Sequence, residues 1–146
     1  MHGDSPGGPI RWRMFLPVPP EKVFEALSTD EGRSSFWAES THETSNEIRF
    51  VFANGSEHRA KILERRYPER FSLEYFQAVA SFQLERAEDG GTELLLTHHG
   101  VPAEEWNEVH AGWLNVLFPL KAMLAFGVDL RNHSRLRSWD QGYADQ

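Results

Sequence analysis

The chain has 146 residues, a length typical of one domain, and it contains no cysteine. The absence of cysteine excludes disulfides, thiolate nucleophiles, cysteine-ligated zinc sites and iron–sulfur clusters. Its 22 acidic and 15 basic residues give a formal net charge of -7, which argues against general nucleic-acid binding because such a surface repels phosphates. Aromatic residues make up 12% of the chain, so these rings either fill a core or line a cavity.

Two segments bear on secretion and membrane insertion: the N-terminus and the most apolar stretch of the chain. Residues 1–9 have no apolar run of the signal-peptide kind, and their Gly and Pro content predicts a disordered lead-in. Residues 113–128 would span about 24 Å as a helix, less than the roughly 30 Å of a bilayer core. We therefore expect a buried core helix, no membrane partner and a soluble cytoplasmic protein.

The first predicted elements are a strand and two helices. Alternation over residues 10–16 predicts the strand. A helix is predicted to begin at Pro20, because proline suits the first helical turn. Asp30 is a typical N-cap residue and predicts a second, short helix that ends near Trp37.

Period-2 patterning then predicts an antiparallel meander with one buried face. Turn signals separate its strands at Asn54-Gly55, at Tyr67-Pro68 and at Asp89-Gly90-Gly91. The side chains predicted on the inner face include Phe50, Phe52, His58, Phe71, Tyr75, Phe82 and His98.

A long helix is predicted over residues 102–126, where Pro102 is a start signal and Gly127 a stop signal. Apolar residues recur at steps of three and four, which gives this helix one wide apolar face containing Trp113 and Leu117.

The predicted helix contains a residue that disfavours helical structure, Pro119. Pro119 removes one backbone hydrogen bond and clashes with the preceding turn, so we expect a kink there, at a cost of about 3 kcal/mol if nothing compensates it. Together the elements predict one α+β domain over residues 10–128, followed by a polar C-terminal extension over residues 129–146.

The order of these elements and several local motifs carry a family resemblance. The motifs are VPPEKVFEAL (18–27), FW (36–37), PERFSL (68–73), GTELLLTHHG (91–100) and GW (112–113). The chain resembles a START-like domain of the SRPBCC or Bet v 1 type, and more narrowly the branch named for homology to the activator of heat-shock protein 90 ATPase. The resemblance covers about residues 10–127 and implies a helix-grip fold, in which a curved antiparallel sheet wraps around the long C-terminal helix. Pro119 and the extension depart from the branch.

The resemblance also implies an apolar cavity between sheet and helix that holds a lipid, steroid, polyketide-like or other small hydrophobic ligand, with no cofactor. For each ring taken alone, packing in a filled core is the alternative, since periodicity does not distinguish a filled core from a lined one. The residues expected to line the cavity are Trp37, Phe50, Phe52, His58, Phe71, Tyr75, Phe82, His98, Trp113 and Leu117.

The histidines are the first candidates for chemistry. His98 and His99 are adjacent on one strand and point to opposite faces, and no compact ligand spacing occurs, so we predict no metal site. His98 is interpreted as a hydrogen-bonded core residue, with ligand orientation or general-base catalysis as alternatives. Tyr75 is either a ligand contact or a packed ring with a satisfied hydroxyl.

Three functional hypotheses remain. The first, which the sequence favours, is a small-molecule binding protein. The second is an enzyme on the same fold, of the cyclase, aromatase or hydrolase type, with His98 or Tyr75 in proton transfer. No convincing acid–base pair can be assembled and no catalytic motif is present, so we predict no catalytic residues. The third is a protein-interaction module, either a partner related to chaperone ATPase activators or a homodimer that uses the long helix and the extension.

Overall fold

The computed structural model describes residues 5–146. Residues 1–4 of the predicted lead-in lie outside the described residues, and the domain boundaries remain predictions. Just before the first strand, the carbonyl of Gly8 accepts a hydrogen bond of 2.8 Å from the Trp106 indole N–H. The residues just before the first strand are therefore in contact with the C-terminal helical segment.

Within residues 5–146, seven strands form one antiparallel sheet, one strand more than the patterning predicts. Their order across the sheet is β1-β7-β6-β5-β4-β3-β2, so the first strand pairs with the last and the others follow as a meander. The strands are β1 (Ile10–Leu16), β2 (Ser40–Thr44), β3 (Glu47–Val51), β4 (Glu57–Arg66), β5 (Arg70–Tyr75), β6 (Ala78–Arg86) and β7 (Thr92–His99).

The edge strand β2 is absent from the sequence-based expectation. Its alternation is hidden, because the side chain it buries deeply is Thr41, a polar residue. The turn that joins it to β3 is a tight one in which Ser45 and Asn46 both have positive φ, at 49° and 63°. Such mirror-image turns suit hairpins and prefer Gly, Asn or Asp, a preference that Asn46 meets and Ser45 does not.

The remaining strands bury the residues that alternation assigns to one face. Ile48 and Phe50 on β3, and Phe71 and Leu73 on β5, are fully or almost fully buried, as is Phe82 on β6. They form one core with the apolar faces of the helices. The confirmed alternation therefore places the interior on the predicted side of the sheet.

Two short helices follow β1. Helix α1 spans Pro20–Ser28, and helix α2 spans Asp30–Ser34, ending before Trp37. The N-cap of α2 is Thr29, whose hydroxyl accepts a hydrogen bond from the Gly32 N–H at 3.0 Å. Asp30 instead uses its carboxylate to bind β2, where it accepts hydrogen bonds from the Thr41 hydroxyl at 2.9 Å and the Glu43 N–H at 3.1 Å.

The C-terminal helical segment is divided, whereas one continuous helix is predicted. A 3-10 turn leads into α3 (Trp106–Gly112), and α4 (Leu114–Phe126) follows after an interruption at Trp113. Helix α4 continues through Pro119, so the interruption of the segment lies at Trp113, and the kink expected at Pro119 stays a prediction. Gly112 precedes the interruption, and glycine weakens a helix by about 1 kcal/mol relative to alanine.

The C-terminal helical segment is only partly a core helix. The stretch Ala103–Phe126 is long and apolar enough to cross a membrane by length and composition, and 28% of its apolar window is buried. Trp113 and Leu117 face the core, whereas Phe118 and Phe126 are 53% and 74% exposed. The prediction of a buried helix therefore holds for one face of α4, and the opposite face presents apolar side chains to solvent.

Candidate functional site

A cavity of about 470 Å³ lies between the sheet, the C-terminal helical segment and the residues that follow it. This volume falls in the range of ordinary ligand pockets. Three parts of the chain contribute its principal walls. They are the sheet and the loops after β3 and β5, with Phe52, Tyr75, Phe76 and His98; the C-terminal helical segment, with Val109, Trp113 and Val116; and the extension, with Arg131, His133, Trp139 and Gln146.

The structure divides the predicted lining residues into two groups. Those that line the cavity are Trp37, Phe52, Tyr75, His98 and Trp113. Those outside its lining are Phe50, Phe71, Phe82 and Leu117, which are buried in the adjacent core, and His58, which packs against Phe76. That any of them contacts a ligand stays a prediction.

Trp37 joins the two groups. It lies just beyond α2, where its N–H bonds the Arg33 carbonyl at 2.8 Å. Its ring lies 5.0 Å from the ring of Phe50, 5.5 Å from Tyr75 and 6.1 Å from Trp113, measured between centroids. Aromatic pairs at these separations attract one another beyond the burial of their area. The inner end of the cavity is thus walled by rings that the core holds in place.

A chain of buried hydrogen bonds links these rings. The Trp113 indole N–H donates to His98 Nδ1 at 3.0 Å, and His98 Nε2 lies 3.0 Å from the Tyr75 carbonyl. An indole nitrogen only donates, so Nδ1 must accept and Nε2 must carry the hydrogen. Both ring nitrogens are bonded, as interpreted from the sequence. Burial lowers the pKa of His98, so the neutral ring is favoured.

The Tyr75 side chain forms the second polar feature of the inner end. Its hydroxyl oxygen accepts a hydrogen bond from the Trp37 indole N–H at 3.2 Å. Burial raises the pKa of the Tyr75 hydroxyl well above its ordinary value, so the group keeps its proton.

The cavity mouth on the sheet side is formed by the β5–β6 turn. Phe76 and Gln77 occupy this turn with φ of 51° and 64°, a left-handed conformation that bulky residues rarely adopt. The Phe76 ring stacks on His58 with centroids 4.0 Å apart, and the Phe76 N–H donates to His58 Nε2 at 3.0 Å. Burial lowers the pKa of His58, which favours the accepting, neutral ring. Sequence reasoning missed Phe76, because this turn lacks the usual Gly or Asn.

The C-terminal extension is tied down beside the cavity by Arg131. The guanidinium donates to the carbonyl of Ala38 at 2.7 Å and to that of Ser34 at 3.0 Å, and it pairs with Asp129 at 2.9 Å. The Arg131 side chain is 6% exposed. These bonds fix the extension against the segment that follows α2.

A second attachment uses His133. Its ring nitrogens lie 2.8 Å from the Glu39 carboxylate and 2.7 Å from that of Asp129. Hydrogen bonds to Glu39, followed by those to Asp129, raise the pKa of His133. At the far end of the extension, the Asn115 side chain on α4 donates to the Gln146 carbonyl at 3.0 Å. The extension therefore bridges from the sheet side to α4, and no sequence signal indicated that it does so.

Charge at the mouth is unevenly distributed. Glu105, Glu108 and Asp140 line the cavity and are exposed, and no ion pair to them occurs among residues 5–146. The positive groups of the lining, Arg131 and His133, are each bonded to carboxylates. Within the same part of the chain, no group of three or more His, Asp or Glu side chains is placed to hold a metal ion.

Comparison with known proteins places the sequence in context. Residues 17–125 match the family described as Activator of Hsp90 ATPase homolog 1-like protein, so the extension lies outside the matched region. No curated protein matches the chain in sequence.

Solved structures share the fold at low identity. The protein SSP2350 from Staphylococcus saprophyticus is 24% identical with a TM-score of 0.75, over 88% of this chain and 99% of that one. The Aha1 dimer from Colwellia psychrerythraea is 24% identical with a TM-score of 0.72, over 82% of this chain and 97% of that one. DynU16, a protein in the dynemicin biosynthetic locus, is 19% identical with a TM-score of 0.71, over 85% of this chain and 49% of that one. These likenesses confirm the helix-grip fold.

Proposed function

The chain belongs to the family of activator of Hsp90 ATPase homolog 1-like proteins, and we propose that it binds a small hydrophobic ligand in the cavity beside the extension. The observation that carries this proposal is the lining of the inner end. Trp37, Tyr75 and Trp113 pack against one another and also border a space of about 470 Å³. Apolar pockets with a few fixed polar groups are the usual form of a small-molecule site.

Binding is favoured over catalysis by the state of His98. A general base needs a nitrogen with an accessible lone pair, but Nδ1 already accepts the Trp113 indole hydrogen at 3.0 Å. The other nitrogen is occupied by the Tyr75 carbonyl. The structural neighbour DynU16 comes from a biosynthetic locus, which supports a small molecule as the ligand without naming it.

The test uses a neutral apolar dye, N-phenyl-1-naphthylamine, titrated into the full chain. We expect saturable binding of one dye per chain, read as increased dye fluorescence. Gly112 lines the cavity, and a Cβ built there meets no atom within 4 Å, so Gly112→Phe places a ring in open space. This variant is expected to weaken dye binding at least about tenfold. The matched control is Ala111→Phe, on the exposed side of the same helix, which should leave binding unchanged.

Absence of saturable binding to the unmodified chain would refute the proposed function. Equal affinity of the dye for the Gly112→Phe variant and the unmodified chain would show that the dye binds at a surface other than the cavity.

A second candidate function, assembly as a homodimer, is favoured by a different observation. Phe118 and Phe126 lie two turns apart on α4 and are 53% and 74% exposed, and Leu130 and Leu136 of the following segment are 48% and 78% exposed. Large exposed apolar patches usually mark interaction surfaces. The Colwellia psychrerythraea neighbour is described as a dimer. We propose that a second copy of the chain covers these residues.

Light scattering during size-exclusion chromatography measures this assembly. The expected result is a dimer that dissociates when Phe118 is replaced by Glu, whereas Leu63→Glu, at a 44% exposed position on β4, leaves it intact. A monomer at every concentration, or binding of the apolar helix to lipid vesicles instead, would count against the dimer.

A further inference from the structure

The hydroxyl group of Tyr75 has a hydrogen that it does not donate to any acceptor among residues 5–146. Its oxygen accepts a hydrogen bond from the Trp37 indole. The side chain is 9% exposed and lines the cavity. A buried donor without an acceptor is unfavourable, so an acceptor supplied from within the cavity would be bound favourably.

The polar groups next to Tyr75 are already hydrogen-bonded within the protein and are not available to a ligand. Both nitrogens of His98 are bonded, and the indole hydrogens of Trp37 and Trp113 are already donated. The backbone carbonyl of buried Ala38, which also borders the cavity, already accepts a hydrogen bond from Arg131. The side chains of the inner end therefore offer a ligand one donor, on Tyr75, among apolar ring surfaces.

The mouth selects on charge. Glu105, Glu108 and Asp140 line it as carboxylates without an ion-pair partner in the described chain, whereas Arg131 is held by Asp129 and donates to two backbone carbonyls. A ligand carboxylate would meet repulsion from these groups, and the Arg131 guanidinium in the lining is already engaged. Fatty acids and other apolar anions are thus disfavoured.

Resting on the proposed function, we propose that the ligand is a neutral apolar molecule that presents a carbonyl or similar accepting oxygen to the Tyr75 hydroxyl. Tyr75 then determines the specificity of the site. The ring walls contribute affinity, and the single donor fixes which end of the ligand enters first.

Three probes of nearly equal size separate the contributions: 2-acetylnaphthalene, 2-isopropylnaphthalene and 2-naphthoate. Quenching of tryptophan fluorescence measures their binding to the full chain. We expect the ketone to bind about fivefold more tightly than the hydrocarbon, the gain of one neutral hydrogen bond. The anion is expected to bind at least about tenfold more weakly than the ketone.

Substitution of Tyr75 by Phe tests the assignment of the donor. The ketone should lose its advantage in Tyr75→Phe, while the affinity of the hydrocarbon changes by less than about twofold. Since this variant also leaves the Trp37 N–H without its acceptor, an infrared measurement on the unmodified chain gives an independent readout. The carbonyl stretch of the bound ketone should move to lower wavenumber, as it does when a hydroxyl donates to it.

The outcomes separate the two proposals. Binding of the ketone and the hydrocarbon with equal affinity, or an unshifted carbonyl stretch, overturns the role of Tyr75 and leaves the proposed function standing. Failure of both neutral probes to bind overturns the proposed function and this inference with it. Tighter binding of the anion overturns the charge selection.

Discussion

Trp113 donates its indole hydrogen to Nδ1 of His98 across 3.0 Å, and this one bond couples the C-terminal helical segment to strand β7 inside the core. It determines the tautomer of His98, because Nε2 must then donate to the Tyr75 carbonyl on β5. A wall of the cavity is therefore built from three elements that share a buried polar chain. Its geometry depends on a neutral imidazole.

Acidification is expected to destabilise the fold. Protonation of His98 would add a hydrogen to Nδ1, so the ring would have an N–H directly facing the Trp113 donor. Burial lowers the pKa of His98 and that of His58. Below the ordinary value of about 6.5, the unfolded chain therefore binds more protons than the native chain, and the free energy of unfolding falls as the pH falls. Urea unfolding at about pH 7.5 and about pH 5.5 measures the difference.

The control for this pH dependence is His99, the exposed neighbour of His98 on β7. His99→Gln should keep the pH dependence, whereas His98→Gln should reduce it and lower stability at neutral pH. In a His133→Gln background, which removes the opposite contribution of the raised His133 pKa, a free energy of unfolding that rises on acidification across this range would contradict the neutral-histidine assignment.

Alkaline pH is expected to loosen the extension. Hydrogen bonds that His133 donates to Glu39, and then to Asp129, raise the pKa of His133, so its contribution to stability is fully present below about pH 6.5 and is lost as the pH rises through the raised value. The neutral ring keeps one N–H and can then satisfy one carboxylate only. The protection factors of residues 129–146 in hydrogen exchange, which are corrected for the base-catalysed intrinsic rate, should fall over this range, and they should be low at every pH in His133→Gln. Protection factors that are independent of pH in the unmodified chain would show that other contacts hold the extension.

Sequence reasoning identified most of the fold because the relevant residues have local signals. Alternation placed Phe50, Phe71 and Phe82 on one face, and Asn54-Gly55 marked a hairpin. Strand β2 had no such signal, since its turn uses Ser45 and Asn46 and its deeply buried side chain is polar. Local pattern alone cannot detect a strand whose place depends on the pairing of its neighbour.

The site was less predictable than the fold. Trp37, Tyr75 and Trp113 could be assigned to the interior, but Phe71 and Phe82 have the same pattern and lie outside the lining. Which rings border a cavity depends on where α4 and the extension come to rest. The extension acts through Arg131, whose partners are backbone carbonyls 93 and 97 residues away, and backbone carbonyls carry no sequence signature.

Loss of Arg131 should release the extension from the cavity. In Arg131→Ala, the carbonyls of Ala38 and Ser34 would lose their donor, and the Asp129 carboxylate would lose its guanidinium partner. Hydrogen bonds that involve a charged group contribute about 1.5 to 3 kcal/mol each, so even one lost bond shifts the closure of the extension roughly tenfold or more. We expect rapid proteolysis after residue 127 and weaker binding of N-phenyl-1-naphthylamine.

The matched variant for Arg131 is Arg137→Ala, at an exposed position of the same extension. It should change neither the proteolysis rate nor dye binding. Retention of full protection in Arg131→Ala would show that the His133 and Asn115 contacts hold the extension by themselves.

Two glycines in helices give opposite predictions for the same substitution. A Cβ built on Gly32 of α2 lies 2.5 Å from the carbonyl oxygen and 2.6 Å from the Cα of Ala26, both backbone atoms of α1 that cannot yield cheaply. Gly32→Ala should therefore lower the free energy of unfolding by about 1 to 3 kcal/mol, the usual cost of overpacking. On α3, Gly112→Ala meets no atom within 4 Å and should stabilise the chain by about 0.5 to 1 kcal/mol through helix propensity. Urea unfolding measures the free energy of unfolding of both variants. Equal changes in the two variants would mean that α1 and α2 are not closely packed at Gly32.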